Sequence, residues 1–455
     1  MDAIGRYLEE HRERFLDDLK AVLRIPSVSA QPDHVPDMRR CAEHLAERLR
    51  GLGLTRVEVM PTEGHPAVYA EWLGAPGKPT VLLYGHYDVQ PADPLDLWHT
   101  PPFEPTLRDG KLYARGAVDD KGQVYMHVAA IEAHMKVNGK LPVNLKLLIE
   151  GEEEVGSLHL EAFIRSHRKM LDADVIVVSD TGMGGPDQPA LTYALRGLLY
   201  GQIEVVGPAR DLHSGHFGGA VANPANALCA IIAALKDGEG RVTVPGFYDR
   251  VRPLTAADRE AFRQLPFDEA AYLAESGAPA PFGEKGFSTL ERATARPTLD
   301  VNGMWSGYIG EGEKTVLPSF AGAKISMRLV PDQDPEELAP RFEAYVRKLA
   351  PQGVTARVVN LRGSPPFITP PDHPMLEAAR RALARVWAKP PVMIREGGSI
   401  PVMSTFEHTH GLPSILMGFG LDDDQVHAPN EKFSLTSFYG GMHSAACLYE
   451  EIAKG

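Results

Sequence analysis

The stretch Thr80–Asp88, TVLLYGHYD, decides the fold of this chain. A run of apolar and aromatic residues is followed by a glycine, and then by an imidazole and a carboxylate. A short apolar run that stops in such side chains is typical of a buried strand whose carboxyl end opens into a ligand site, as in open α/β sheets. We therefore predict a buried strand with a polar site at its end.

Other short apolar runs along the chain also stop in acidic or imidazole side chains. The groups at their ends are Asp119-Asp120, Glu152-Glu153-Glu154, Asp180 and His427. So many carboxylates in one site would repel one another strongly unless cations lay between them. Two or more divalent metals are the simplest means of holding them together, and the sequence therefore predicts a two-metal hydrolase.

The composition narrows the class of protein. A chain of 455 residues is too long for one ordinary core, and its 44% hydrophobic and 24% charged residues are typical of globular domains. The formal charge of −13 argues against nucleic acid or an anionic membrane as a partner. Three scattered cysteines, no signal-peptide pattern and no run of about 18 apolar residues predict a cytoplasmic protein.

The pattern of elements predicts a discontinuous domain. Strands and helices alternate over residues 1–196, which indicates an α/β domain with a mostly parallel sheet flanked by helices. Residues 197–368 read as a smaller α+β domain, and the α/β pattern returns over residues 369–455. If His427 joins the other polar groups, the first and last segments form one catalytic domain. The middle segment would then be an inserted lid that can exclude water.

Hydrophobic periodicity predicts the individual elements. Helices are expected at residues 1–23, from Asp37 to Gly51, and at Lys121–Met135, Leu158–Met170, Pro224–Leu235, Pro335–Leu349, Pro374–Val386 and Leu435–Ile452. Strands are expected at Val57–Met60, Ala67–Trp72, Thr80–Tyr84, Val143–Ile149, Val175–Ser179, Gly197–Val206, Ala321–Val330, Val354–Val359 and Ser414–Gly418. Residues 237–313 show no clear long period.

His86 and Asp88 lie two residues apart at the end of a strand, so their side chains point the same way. The carboxylate can therefore hold one ring nitrogen of the histidine and leave the other for a metal. The alternative is a strand-end histidine beside an unrelated, solvated aspartate.

The adjacent acids can divide the work of a two-metal site. One carboxylate of Asp119-Asp120 can bridge two metals, although a helix N-cap followed by a first-turn acid is the alternative. Side chains within Glu152-Glu153-Glu154 diverge, so one can bind metal while another acts as the general base for water. A solvated acidic turn is the alternative for that group. No GxSxG, HExxH, P-loop or Rossmann motif supplies a different chemistry.

With these residues identified, the chain resembles the di-zinc metallopeptidase family of carnosinases, cytosolic non-specific dipeptidases, aminoacylases and acetylornithine deacetylases. The resemblance runs essentially end to end and is closest to the dipeptidase branch. It is carried by the segments 85–91 (GHYDVQP), 115–122 (RGAVDDKG), 150–157 (EGEEEVGS), 179–180 (SD), 211–215 (DLHSG), 328–331 (RLVP), 395–401 (REGGSIP) and 427–431 (HAPNE).

The resemblance implies two Zn²⁺ per subunit, although Mn²⁺ or Co²⁺ suits the same oxygen ligands. It implies that His86 and Asp180 hold one zinc, that Glu154 and His427 hold the other, and that Asp119 bridges both. It also implies a cis peptide between Asp119 and Asp120.

Catalytic roles follow from the same resemblance. Asp88 would orient His86, and Glu153 would be the general base. His213 resembles the family's oxyanion-stabilising histidine, which in dimeric members reaches into the partner subunit's site; the alternative is an ordinary surface histidine. We therefore expect a homodimer formed through the inserted lid and dimerisation domain.

Substrate recognition is the last expectation that the resemblance carries. Arg328 and the loop of Gly398 and Ser399 would grip the terminal carboxylate of a small peptide, and Asn302 would assist from the lid. The hypothesis is therefore a di-zinc peptidase that cleaves dipeptides or short peptides through a metal-bridging hydroxide. The alternatives are an N-acyl or N-carbamoyl amino acid amidohydrolase or a carboxypeptidase of the same family, or a non-catalytic metal-dependent peptide-binding protein.

Overall fold

The strands and helices of this chain were located in a computed structural model, which describes residues 2–455 apart from the side chain of Pro401. The strands are β1 Arg56–Met60, β2 Ala67–Trp72, β3 Thr80–His86, β4 Thr106–Arg108, β5 Lys111–Tyr113, β6 Asn144–Glu150, β7 Val175–Val178, β8 Ala190–Leu195, β9 Gly197–Val206, β10 Leu212–His213, β11 Thr298–Ser306, β12 Val316–Leu317, β13 Phe320–Leu329, β14 Thr355–Ser364, β15 Phe367–Ile368, β16 Val392–Glu396, β17 Ser414–Leu416 and β18 Lys432–Ser434.

The α-helices are distributed along the whole chain. They are α1 Ala3–Glu10, α2 Arg12–Leu23, α3 Val35–Gly51, α4 Lys121–Asn138, α5 Leu160–Ser166, α6 Ser214–Phe217, α7 Pro224–Ala234, α8 Ala256–Gln264, α9 Glu269–Ser276, α10 Thr289–Thr294, α11 Pro335–Leu349, α12 Pro374–Val386, α13 Pro401–His410 and α14 Leu435–Ile452. None of the helices that the structure describes is both long and apolar enough to cross a lipid bilayer.

The chain divides into two units. One unit comprises Met1–Tyr193, Thr369–Ile394 and Thr405–Gly455, and the other comprises Ala194–Ile368 and Arg395–Ser404. We call them the first and the second unit. The domain boundaries at residues 196 and 369, and the role of the inserted segment as a lid, stay predictions.

The main sheet has a parallel core. Its strand order is β1-β2-β6-β3-β7-β17-β8-β15, and β16 pairs with β8. The strands β6, β3, β7 and β17 run parallel, whereas β1, β2 and β8 are antiparallel to their neighbours. The predicted α/β class is confirmed, and the outer strands make the sheet mixed.

The central strands are apolar because helices cover them. Val81, Leu82 and Leu83 of β3 are at most 2% exposed, as expected of a strand with both faces buried. Helices α3, α4 and α12 pack against β2, β3 and β17. Because β6 and β7 lie on opposite sides of β3, the chain crosses from one side of that strand to the other, and ligand sites form outside the carboxyl ends at such a point.

The second unit contains an antiparallel sheet of order β11-β13-β9-β14. Strand β9 alternates between buried and partly exposed residues, so one of its faces is apolar. Helices α7 and α11 cover that face. The core between them includes Ile203, Ile231, Ile325 and Phe342.

Most predicted elements are confirmed. Five of them have the predicted bounds: Ala67–Trp72, Gly197–Val206, Pro335–Leu349, Pro374–Val386 and Leu435–Ile452. The single helix predicted over residues 1–23 was wrong, because the chain breaks at His11, whose ring nitrogen lies 2.9 Å from the Tyr7 carbonyl oxygen. The second helix begins at Val35 instead of after Asp37. Pro36 is tolerated there because the first turn has no use for its missing N–H.

Residues 237–313 contain helices and a strand that periodicity did not reveal. Helices α8 and α9 have no buried residue and are only nine and eight residues long, so neither produces a long apolar period in the sequence. Their ends are instead defined by side-chain caps: Thr255 accepts a hydrogen bond from the Asp258 N–H, and Asp268 accepts from the N–H groups of Ala270 and Ala271.

Candidate functional site

All five predicted metal ligands converge at the carboxyl edge of the parallel core. Ligand atoms of His86, Asp119 and Asp180 lie within 4.8 Å of one another, and so do those of Asp119, Glu154 and His427. The two groups share Asp119, so its two oxygens face different partners. Asp119 Oδ1 is 3.1 Å from His86 Nε2, and its Oδ2 is 2.9 Å from His427 Nε2.

Neighbouring parallel strands deliver two of these side chains. His86 is the last residue of β3 and is fully buried. Asp180 follows β7, which pairs with β3 through Tyr84 and Val178. His86 Nε2 is therefore 3.9 Å from Asp180 Oδ2.

A tight turn before α4 delivers Asp119. The Asp119–Asp120 peptide is cis, as expected. Gly122 is needed just after it, because a Cβ at this position would lie 1.9 Å from the Ala117 carbonyl oxygen. The glycine therefore lets the turn approach the first residues of the helix.

Asp88 contacts two parts of the site. Its Oδ1 is 3.3 Å from His86 Nδ1, which leaves Nε2 facing the cluster. The same carboxylate accepts hydrogen bonds from the backbone N–H groups of Glu153 and Glu154, at 3.2 and 3.1 Å. Asp88 therefore orients both the histidine and the acidic turn after β6, and only the first contact was expected from the sequence.

Glu154 and His427 form the other side of the cluster. Glu154 Oε2 is 3.1 Å from His427 Nε2 and accepts a hydrogen bond of 2.8 Å from the Gln90 amide. His427 has a φ of 61°, in the left-handed region that is sparsely populated by residues other than glycine and marks a backbone held by its surroundings.

Burial and like charge raise the pKa of several acids here. Burial is the main cause for Asp120 and Asp180, whose pKa values lie well above the usual range, and neighbouring carboxylates add to it. Burial, with repulsion from Glu154 and Asp119, raises the pKa of Glu153 to about 7. Asp120 Oδ1 is buried without a hydrogen-bond partner among residues 2–455. The cluster is therefore short of positive charge.

The same surroundings favour the charged form of the two histidines, whose pKa values are also raised. Hydrogen bonds with Asp119 and Glu154 raise the pKa of His427 to about 10. Burial opposes protonation of His86, yet contacts with Asp119 and Asp88 outweigh it and place its pKa well above the usual range. Burial likewise opposes ionisation of Asp119, but its contacts with both imidazoles lower its pKa below the usual range.

The residues fit divalent cations. Two imidazoles and three carboxylates offer their atoms at short mutual distances, and such mixed nitrogen and oxygen donors suit Zn²⁺, Mn²⁺ or Co²⁺. Cations would also supply the positive charge that the buried acids lack. A metal cluster at the carboxyl edge of an α/β sheet, with a further acid of pKa near 7, defines a metal-dependent hydrolase.

The remaining predicted residues lie in the second unit. Arg328 donates a hydrogen bond of 2.9 Å to Ser399 Oγ, and Gly398 beside it is exposed. The exposed His213 accepts a hydrogen bond of 3.0 Å from the Gly215 N–H. Asn302 is exposed at a bulge of β11, and within residues 2–455 no hydrogen bond joins it to Arg328 or Ser399. Roles for these residues stay predictions.

Sequence reasoning missed three residues that support the site. Gln90 contacts Glu154, and a buried ion pair of 2.8 Å joins Arg115 to Glu431. All three lie inside the motifs that carry the family resemblance. Their position in those motifs was the only available signal, because their partners are distant in the chain.

The family model for peptidase family M20/M25/M40 matches residues 82–451 of this chain. The chain is 34% identical to the Cys-Gly metallodipeptidase DUG1 of Candida albicans, over 95% of this chain and 93% of that protein. It is similar to the crystal structure of human carnosine dipeptidase 1, with a TM-score of 0.81, 32% identity and coverage of 99% and 98% of the two chains. The M20 metallo-carboxypeptidase Sso-CP2 of Sulfolobus solfataricus has a TM-score of 0.83 and 31% identity, with coverage of 97% and 99%.

The chain therefore belongs to peptidase family M20/M25/M40. It is a metallopeptidase of the dipeptidase type, with an α/β sheet of parallel core and a separate antiparallel sheet. The predicted family, fold class and enzyme class are confirmed.

Cation binding should release protons. At pH 7 the raised pKa values favour protonated His86 and His427, whereas a metal binds only the neutral imidazole. Binding should therefore release protons from both imidazoles, and affinity should rise as the pH rises toward the pKa of His427, about 10. Calorimetric titration of the chelator-treated protein with Zn²⁺, in buffers of different ionisation enthalpy, measures this release. Binding heats that do not depend on the buffer would contradict it.

Proposed function

We propose that this chain hydrolyses dipeptides or short peptides with a free C-terminal carboxylate, at a site that holds two Zn²⁺ ions. The observation that carries the proposal is the pair of three-residue ligand groups that share Asp119. A carboxylate with an imidazole on each side is suited to bridging two cations. The names of the similar proteins, a Cys-Gly metallodipeptidase and a carnosine dipeptidase, support small peptides as substrates.

The proposed ligand sets follow the two groups. His86 and Asp180 would hold one cation, Glu154 and His427 the other, and Asp119 both. When bound, the cations supply Lewis-acid polarisation of the scissile carbonyl and acidify the attacking water. Mn²⁺ and Co²⁺ suit the same donors.

Glu153 is the proposed general base. Its carboxylate makes no hydrogen bond to another group among residues 2–455, and burial raises its pKa to about 7. A base with a pKa near the working pH can both accept and return a proton. Glu153 takes the proton of the attacking water, and the same carboxyl group then gives it to the leaving amine. Asp88 acts through its contacts with His86 and with the backbone of Glu153.

Arg328 and Ser399 are the proposed site for the substrate carboxylate. Burial lowers the pKa of Arg328, and its guanidinium has no carboxylate within ion-pair distance in the part of the chain that the structure describes. A half-buried cation of this kind is stabilised by an anionic ligand. The exposed Gly398 leaves its backbone accessible, and Asn302 would assist. His213 would donate to the oxyanion of the tetrahedral intermediate.

A second candidate reaction comes from the similarity to the Sulfolobus metallo-carboxypeptidase. A carboxypeptidase needs the same recognition of a terminal carboxylate, but it accepts a longer peptide. Cleavage of N-acyl or N-carbamoyl amino acids would use the same metal ligands and base. These reactions differ only in the group on the acyl side of the scissile bond.

We also propose a homodimer through the second unit, with His213 acting in the partner's site. Strand β11 is an edge strand with exposed Val301 and Met304, and exposed Tyr308 and Ile309 follow it. An apolar sheet edge is a surface that proteins commonly cover by association. The three cysteines, Cys41, Cys229 and Cys447, are free, which supports the proposed cytoplasmic location.

Replacing the base should separate chemistry from metal binding. Glu153→Gln should lower kcat by about 10²–10⁴-fold, because the amide cannot accept the proton, while two cations per chain are retained. The matched variant Glu154→Gln removes a proposed ligand one residue away and should lower the cation content. Steady-state rates and elemental analysis of both variants check this. Full activity of Glu153→Gln would refute the assigned base.

A substrate panel should reveal recognition of the carboxylate. Free dipeptides should be cleaved, whereas C-terminal amides should lose about 10–100-fold in kcat/KM, since a hydrogen bond to a charged group is worth ~1.5–3 kcal/mol. Arg328→Ala should impose a similar loss on the free dipeptides and little further loss on the amides. N-acetyl and N-carbamoyl amino acids and longer peptides in the same panel separate the alternative reactions. Preferred cleavage of either group would replace the dipeptidase assignment.

Mixing two inactive variants should test the role of His213 across subunits. In a dimer of one Glu153→Gln and one His213→Ala chain, one site would combine an intact base with the partner's intact histidine. Random mixing should then restore about a quarter of the wild-type rate, because half the dimers are mixed and each has one complete site. Rates and mass by light scattering are measured together. No recovery in a mixed dimer, or a fully active monomer, would exclude this arrangement.

A further inference from the structure

Glu431 is a fully buried carboxylate that none of the proposed metal or catalytic roles uses. Its Oε2 accepts hydrogen bonds from Arg115 Nη1 at 2.8 Å and from the Gly116 N–H at 2.9 Å. Its Oε1 accepts from the Val118 N–H at 3.0 Å and from the Asp119 N–H at 3.2 Å. Both oxygens are therefore occupied by the turn that carries Asp119.

The backbone of Glu431 is attached to the same segment. Its carbonyl oxygen accepts a hydrogen bond of 3.1 Å from the Ala114 N–H. The residues that follow form β18, which pairs with β5 just before that turn. Glu431 therefore joins two segments more than 300 residues apart in the chain through its side chain and its backbone at once.

His427 lies in the loop that Glu431 anchors. The left-handed conformation of His427, at φ 61°, and of Asn430, at φ 67°, must be maintained by contacts around the loop. Asn430 supplies one set: its Oδ1 accepts from the His99 N–H at 2.8 Å, and its Nδ2 donates to the Leu97 carbonyl oxygen at 2.9 Å. Glu431 supplies the link to Asp119.

The other ligands of the cluster do not depend on this link. His86 is part of β3, and Asp180 follows β7, so pairing of the parallel core places them. Glu154 is held by Asp88 and Gln90. By contrast, Glu431 joins the loop of His427 directly to the turn of Asp119.

We propose that Glu431 is a positioning residue that holds Asp119 against His427 and so sets the affinity of the cation site formed by Asp119, Glu154 and His427. This inference rests on the proposed two-metal function. Residues that orient metal ligands typically change affinity by about 10–100-fold when replaced. The site of His86 and Asp180 should lose less, because it shares only Asp119 with the affected loop.

The variant Glu431→Gln tests the inference, since its amide has the same shape but only one oxygen for the donors. Glu431→Asp keeps the charge on a shorter side chain and should recover part of the affinity. The matched control is Glu132→Gln. This variant removes another buried carboxylate, which lies on α4 and pairs with Arg14 of α2 and Arg48 of α3. Glu132 contacts no proposed ligand, so its loss should lower stability alone.

The measurement is titration of each chelator-treated protein with Co²⁺, followed by its visible absorption and by competition with a chromophoric chelator. Thermal unfolding of the same metal-free samples reports their stability. Wild type should bind two ions, and Glu132→Gln should bind both of them as tightly as wild type does. Glu431→Gln should bind one of the two about 10–100-fold more weakly, and Glu431→Asp should lie between.

The outcomes separate this inference from the function on which it rests. Wild type that binds fewer than two ions would refute the two-metal proposal itself. Wild type that binds two, with Glu431→Gln also binding two at wild-type affinity, would overturn the positioning role and leave the function intact. If Glu431→Gln does not fold, the test depends on Glu431→Asp. A purely structural role of Glu431 would lower the unfolding temperature of this variant without weakening the binding of either ion.

Discussion

Repulsion among buried carboxylates is the constraint on which the rest of this structure depends. Five acids, Asp119, Asp120, Glu153, Glu154 and Asp180, are gathered at one edge of the main sheet. Burial and like charge raise the pKa of Asp120, Glu153 and Asp180. Two imidazoles alone balance this charge only when protonated. Divalent cations balance it while leaving an acid free for proton transfer, which is why this arrangement suits hydrolysis.

The fold brings the acids together by two different means. Parallel pairing of β3 with β6 and β7 aligns their carboxyl ends, so side chains from these strands meet without any special contact. Asp119 and His427 are delivered by loops instead, and loops need specific hydrogen bonds to be held. Glu431 supplies such hydrogen bonds to the turn of Asp119, and Gly122 allows that turn to lie close to the start of α4. Strand pairing therefore places one part of the site, and buried polar contacts between loops place the other.

The division of residues between the two units explains why similar proteins can carry different names. The proposed metal ligands and Glu153 belong to the first unit, whereas Arg328, Ser399 and His213 belong to the second. Similar proteins at 31–34% identity are named for Cys-Gly, for carnosine and as a carboxypeptidase. Proteins of one family can share their bond-breaking chemistry while residues outside the reacting centre select the substrate.

The sequence by itself determined the fold class, the family and the two groups of candidate metal ligands, because these depend on local signals. Apolar runs ending in His86 or Asp180 and the helical period of Leu435–Ile452 can be read without knowing any distant partner. Only the tertiary structure decided the break at His11, the exposed helices α8 and α9, and the contacts of Gln90 and Glu431. Helices as short as α8 and α9, with no buried residue, produce no long apolar period. The contacts of a buried carboxylate such as Glu431 depend on donors more than 300 residues away in the chain. Such partners become neighbours only when the sheet has formed.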